Sequence, residues 1–227
     1  VPSPFSLASV GNDALAVAEA LGIAGFATLG HSGGGPFALA AAVVGGRRVT
    51  AVGIAAGVGP FELVPHALDD LTEDDRAAHA LLPGDPDGAA RGFGVGFDEL
   101  ARLRLDDAAM LAALAPGLST RDRELMEDSV YGHLVISSMR EGLSAGVQGA
   151  GWDNVAWIGP WDIDLSQVCC PVHLWYGEDD LMVSPAHGQW LRDHVPDGTL
   201  TVRPGEGHLS IAEHLREILL AVGGLPG

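Results

Sequence analysis

The chain has 227 residues and a formal charge of −18, and all 12 of its basic residues are arginine. A negative field of that size disfavours nucleic acid, anionic membrane surfaces and highly anionic substrates, and the lack of lysine excludes a Schiff-base or phosphate-loop lysine. At 47% hydrophobic and 19% charged, with 32 Gly and 14 Pro scattered through loops, the composition belongs to one compact folded domain with an insertion.

In chain order, Asp13 to Leu21 reads as a helix stopped at Gly22, and Phe26 to Leu29 as a short apolar strand. A sharp turn at Gly30 to Gly34 leads into an apolar helix from Pro36 to Val44, followed by a strand from Val49 to Ala55. Strand, helix, strand in that order predicts a βαβ unit and a parallel sheet. Residues 61–160 lack a convincing strand. Thr72-Glu73-Asp74-Asp75 caps a helix to about Leu82, and further helical stretches follow near Phe93 to Leu103 and Asp107 to Leu114. Ser119 to Asp122 offers another cap, leading into amphipathic helix up to Gly146. Strands resume at Val172 to Tyr176 and Leu200 to Arg203; Ser184 caps a helix to about His194, and Ser210 with Glu213 predicts a capping box for the last helix. The expected division is a core of residues 1–60 and 161–227 with a helical cap of 61–160.

Gly30-His31-Ser32-Gly33-Gly34 is a GxSxG sequence lying between a predicted strand and a predicted helix. A tight strand-to-helix turn needs residues without Cβ around the serine, and it raises the hydroxyl at the helix N-terminus, where free amides favour a developing oxyanion. A serine hydroxyl needs a base, and the base needs an orienting acid. Gly177-Glu178-Asp179-Asp180 follows one later strand and Gly205-Glu206-Gly207-His208 the next, so the order Ser, acid, His fits, with the acid open among three carboxylates.

These stretches, Leu29 to Ala40 (LGHSGGGPFALA), His173 to Leu191 (HLWYGEDDLMVSPAHGQWL) and Val202 to Ile211 (VRPGEGHLSI), resemble the α/β-hydrolase superfamily, specifically small actinobacterial-type α/β-fold hydrolases with a helical cap. The resemblance implies an α/β fold with a mostly parallel sheet and selects Asp180, three residues after the glycine, as the acid beside Ser32 and His208. It implies acyl transfer to Ser32, with the Gly33 amide as one oxyanion donor and no cofactor. It also implies several strands before the one that leads to Ser32. The sequence starts almost at the helix before that strand, so the N-terminal strands are expected to be absent here and the Ser32 strand to lie at an open edge. A missing N-terminal segment is the preferred explanation over a second chain that completes the sheet or a natural fragment with little activity; homo-oligomerisation stays open.

His31, Trp157 and His133 are the candidate substrate contacts, with His31 expected to point below the turn. His187, His194 and His214 read as surface residues of helices. The adjacent Cys169 and Cys170 read as unpaired thiols, since strand neighbours face opposite ways, and no spacing points to a metal site. No signal-peptide pattern or membrane-length apolar run is read, so a cytoplasmic location is expected. The expected activity is hydrolysis of a small, largely uncharged ester, amide or related acyl compound. The alternatives are a non-catalytic ligand receptor or interaction protein of this fold, and cofactor-free haloperoxidase or lyase chemistry on the same three residues.

Overall fold

The computed structural model describes residues 5–128 and 130–224. Ser6 and Ser9 exchange side-chain-to-backbone bonds in a capping box, and this starts the first helix, α1 (Leu7–Ala20), six residues earlier than its apolar pattern predicts. Strand β1 (Phe26–His31), helix α2 (Gly34–Gly45) and strand β2 (Val49–Ala55) follow. Helix α2 is apolar on every side because both its faces are covered, by α1 and by the sheet. Close approach of the helices requires Gly11: a Cβ there would lie 2.8 Å from the Ala40 carbonyl oxygen.

Between β2 and the next strand the chain is helical: α3 (Ala67–Asp70), α4 (Glu73–His79), α5 (Pro86–Leu103), α6 (Asp107–Leu114), α7 (Thr120–Glu127), α8 (Tyr131–Gly142) and α9 (Gln148–Ile158). Asp85, whose carboxylate accepts the Gly88 amide, caps α5 and starts it at Pro86, seven residues before the expected start. The single amphipathic stretch expected up to Gly146 is broken at Asp128, whose carboxylate accepts the Val130 and Tyr131 amides and so launches α8. Helix α9 was not expected. Its glycines diluted the apolar pattern, and one of them, Gly151, is what lets α9 lie against α5, since a Cβ there would meet the Ala90 carbonyl at 2.1 Å.

Strand β3 (Val172–Gly177), helix α10 (Pro185–His194), strand β4 (Gly198–Arg203) and helix α11 (Leu215–Val222) complete the chain. The expected capping box of the last helix does not form. Ser210 Oγ instead accepts the Gly207 amide, and residues Ser210–His214 make a 3₁₀ turn before α11.

The four strands are parallel and ordered β1-β2-β3-β4. Among the described residues β1 pairs on one side only, as expected for an edge strand. One sheet face packs on α2 and α10 through Leu39, Ile54, Leu174, Tyr176 and Leu191; the other packs on α11 through Trp175, Ile218 and Val222. Each such side chain, fully buried, contributes about 1.5–3 kcal/mol. The register His31↔Ala55↔Trp175 and Gly177↔Arg203 aligns the C-terminal ends of all four strands at one rim, the rim that parallel α/β sheets use for ligands. No helix among the described residues is long and apolar enough to cross a membrane.

Candidate active site

The turn after β1 is built around missing side chains. A Cβ on Gly30 would sit 2.2 Å from the Gly34 carbonyl oxygen, and one on Gly35 would sit 3.1 Å from Gly57 Cα. With those positions open, the chain turns at Ser32 with φ of +55°, a region that costs a non-glycine residue about 1–3 kcal/mol and that recurs at functional sites. The Ser32 amide still donates to Ala55 O at 3.0 Å and its carbonyl accepts the Gly35 amide at 3.0 Å, so the strained residue is pinned from both sides. Gly33 is the N-cap of α2 and offers no capping side chain, so the Gly33 and Gly34 amides that open the helix are not taken by a cap and can meet an anion, while the Gly35 amide is held by Ser32.

Across the rim, Asp180 follows β3 and His208 follows β4. Both are buried, and His208 Nδ1 lies 2.8 Å from Asp180 Oδ2. The other oxygen, Oδ1, accepts the amides of Met182 and Val183, each at 2.8 Å. The carboxylate is therefore held by its own turn and presents one oxygen to the imidazole. Asp179, the competing carboxylate, is exposed.

His31 ties the two halves together. Contrary to the expectation that it points below the turn, its Nε2 donates to His208 O at 2.9 Å and its ring lies 4.8 Å from the His208 ring, centroid to centroid. The last residue of β1 must reach the β4 loop for this, and the register at the strand ends brings them together. The His31 imidazole is held below the usual histidine range, first by desolvation and then by the neighbouring His208 charge.

Trp157, on α9, closes over the turn: a Cβ on Gly33 would lie 2.9 Å from its Nε1. The Trp161 indole donates to Trp157 O at 3.0 Å, and Phe61 lies 5.9 Å from the Trp157 ring, so the indole is braced. His133 is not brought to this place. It is exposed on α8, in a hollow of about 220 Å³ lined by cap residues such as Asp107, Leu111 and Met126. Helix α8 turns Gly132 and Ile136 inward, and His133 stands about 100° further round.

Three residues that sequence reasoning passed over hold the rim in shape. Asp122, read only as part of a helix start, does form the capping box of α7 with Ser119, but it is fully buried and also accepts the amides of His208, Leu209 and Ser210 at 3.0, 2.9 and 2.8 Å. Burial disfavours its charge; the amides of Ser210 and Leu209 and the Ser119 side chain outweigh that and hold the carboxyl below the usual range. Tyr131, the first residue of α8, donates its hydroxyl to Leu209 O at 3.0 Å. His187, expected at the surface, is buried: its Nδ1 accepts the Gly59 amide at 2.8 Å, and burial pushes its pKa down to about 4. Its place three residues after the Ser184 cap turns it inward, which helical periodicity alone did not distinguish.

A model of the alpha/beta hydrolase fold matches residues 2–215. Comparison with curated proteins gave no match. Among solved structures, the chain is similar to an alpha/beta hydrolase enzyme from a Medee basin deep-sea metagenome library (TM-score 0.66, 19% identity, covering 100% of this chain and 75% of that one). It is similar to a bromoperoxidase from Bacillus anthracis (TM-score 0.66, 19% identity, 98% and 75%). It is also similar to an enol-lactonase from Burkholderia xenovorans (TM-score 0.58, 20% identity, 97% and 73%). At these identities the structures speak to the fold, and with a family model spanning most of its length this chain belongs to the alpha/beta hydrolase fold family.

Proposed function

We propose that this chain is a serine hydrolase acting through an acyl-enzyme, with Ser32 as nucleophile, His208 as general base and Asp180 as the acid that orients it. The observation that carries the reading is the buried His208–Asp180 bond at the same rim as a serine held at positive φ. Because the Nδ1–H donates a hydrogen bond to Asp180, the neutral imidazole keeps its lone pair on Nε2, the nitrogen that must accept the Ser32 proton. Asp180 then stabilises the imidazolium as Ser32 Oγ attacks the acyl carbon. The Gly33 amide meets the oxyanion, a contribution of about 10²–10³ in rate for one such donor. The leaving group departs with the proton from Nε2, and a water activated by the same nitrogen releases the acid and restores the enzyme.

The substrate is a small, largely uncharged ester, amide or related acyl compound. The chain's charge of −18 disfavours polyanions, and Trp157 with Phe61 offers an apolar wall beside the turn. A receptor role is disfavoured by Ser32 itself, since ligand binding gains nothing from a non-glycine residue held at φ of +55°.

The test is intact-mass detection of a fluorophosphonate adduct beside hydrolysis of short p-nitrophenyl esters. One adduct on the wild type, absent from Ser32→Ala, is the expected result. A folded wild type that neither takes the label nor cleaves any ester overturns the reading.

A further inference from the structure

The loop that carries His208 does not fold on the sheet alone. Three consecutive amides, of His208, Leu209 and Ser210, converge on the Asp122 carboxylate, which also accepts the Ser119 amide at 3.2 Å. Gly207 makes room for this: a Cβ there would lie 2.2 Å from Ser119 Oγ and 2.3 Å from Asp122 Oδ2. The Tyr131 hydroxyl takes the Leu209 carbonyl, and the Leu209 side chain packs on the helical cluster of Met110, Leu118, Met126 and Ile136. Every one of these partners lies between β2 and β3 in the chain, in the cap, and not on the strand that His208 follows.

We infer that Asp122 is a positioning residue for His208: its carboxylate is the template around which the histidine loop folds, so the cap segment α7–α8 is part of the scaffold of the base and does not lift away from it. The inference rests on the reading of His208 as general base. A buried carboxylate that collects several amides is one of the strongest fixed points a loop can have, because each bond is charge-assisted and each lost bond leaves a buried charge undersatisfied. The remaining restraints on the imidazole, Asp180 at Nδ1 and His31 at the carbonyl, act only if the backbone is already in place. A base displaced by about 1 Å loses on the order of 100-fold in rate.

The experiment compares wild type, Asp122→Asn and Arg121→Ala by fluorophosphonate labelling and steady-state ester hydrolysis. Asparagine keeps the shape but must turn an NH₂ toward amide donors. The expected result for Asp122→Asn is a kcat on the order of 100-fold lower with KM little changed, because the substrate pocket is untouched while the base is misplaced. Arg121→Ala removes an exposed cap-to-loop ion pair and should leave both kcat and KM near wild type. A folded Asp122→Asn with wild-type kcat, or with a loss carried by KM, overturns the inference while labelling of the wild type leaves the serine-hydrolase reading standing. A wild type that takes no label overturns both. Amide hydrogen exchange on the wild type gives an independent answer should the variant not fold: the 208–210 amides should be strongly protected at neutral pH, and rapid exchange there refutes the template.

Discussion

His208 Nδ1 and Asp180 Oδ2 stand 2.8 Å apart with both side chains buried, and the second oxygen of Asp180 is already spent on two amides of its own turn. This division of the carboxylate decides what happens when it is neutralised. In Asp180→Asn the Oδ1 position faces the Met182 and Val183 amides, so it must remain an oxygen, and the NH₂ is forced toward His208. The imidazole then has to accept at Nδ1 and carry its proton on Nε2, the tautomer that cannot take a proton from Ser32. If Asp180 orients His208 as proposed, kcat should fall on the order of 10⁴-fold with little loss of stability, the size of loss seen when a catalytic triad loses its orienting acid. Steady-state ester hydrolysis with a thermal melt on the same sample checks both halves, and a fall under tenfold contradicts the assigned role.

The strain at Ser32 predicts a trade between stability and activity. Removing Cβ relieves the positive-φ penalty, whereas replacing the hydroxyl by hydrogen does not. Ser32→Gly should therefore be more stable than Ser32→Ala by about 1–2 kcal/mol, a rise of roughly 2–8 °C in Tm for a chain of this size. Both variants should be inactive. Paired thermal melts decide it: equal Tm values would mean that the turn relaxes once the hydroxyl is gone.

The contact between Gly33 and Trp157 predicts non-additivity. Alanine at 33 brings a methyl to within 2.9 Å of the indole nitrogen, which must displace either the ring or the turn that carries the proposed oxyanion amide. Gly33→Ala alone should lose activity strongly. Combined with Trp157→Leu, which vacates the space, it should regain part of that loss, with a coupling energy of about 0.5–3 kcal/mol. Labelling rates for the four proteins of the cycle measure it; strictly additive effects would place the damage in the backbone rather than in the contact.

The legible parts of this molecule were those where one local signal suffices. Strand, glycine turn and apolar helix around Ser32 announce themselves within Phe26 to Val44, and β2 emerged with its bounds as expected. What escaped was information that lies in long-range pairing. Asp122 satisfies a local capping rule, so nothing in its neighbourhood signals that it also binds amides 86–88 residues away. Ser210 and Glu213 have the spacing of a capping box, yet the Ser210 hydroxyl is taken by Gly207 and its amide by Asp122. His31 could not be aimed from sequence, because its direction depends on where the β4 loop ends up. His187 shows the same limit, since a polar residue on a short helix reads as solvated until the packing of the loop after β2 is known.

That buried histidine makes the last prediction. His187 is 3% exposed, its Nδ1 accepts the Gly59 amide, and the Phe61 ring lies 5.2 Å away. Burial, the largest cause, lowers its pKa to about 4, with the Asp70 charge pulling the other way. The folded pKa lies below the unfolded value near 6.5, so between them the unfolded chain binds more protons, and stability rises with pH. The stabilisation is complete above about pH 6.5 and is lost as pH falls toward 4, with about 2 kcal/mol gone by pH 5 and about 3 kcal/mol in all. Protonation also turns Nδ1 from acceptor to donor against the Gly59 N–H, which should loosen the loop between β2 and Phe61. His187→Gln, whose amide oxygen can still accept from Gly59, removes the titration. Urea unfolding of both proteins at pH 7 and pH 5 should show the wild type losing about 2 kcal/mol more than the variant. Parallel losses in the two proteins would mean that water already reaches the His187 ring.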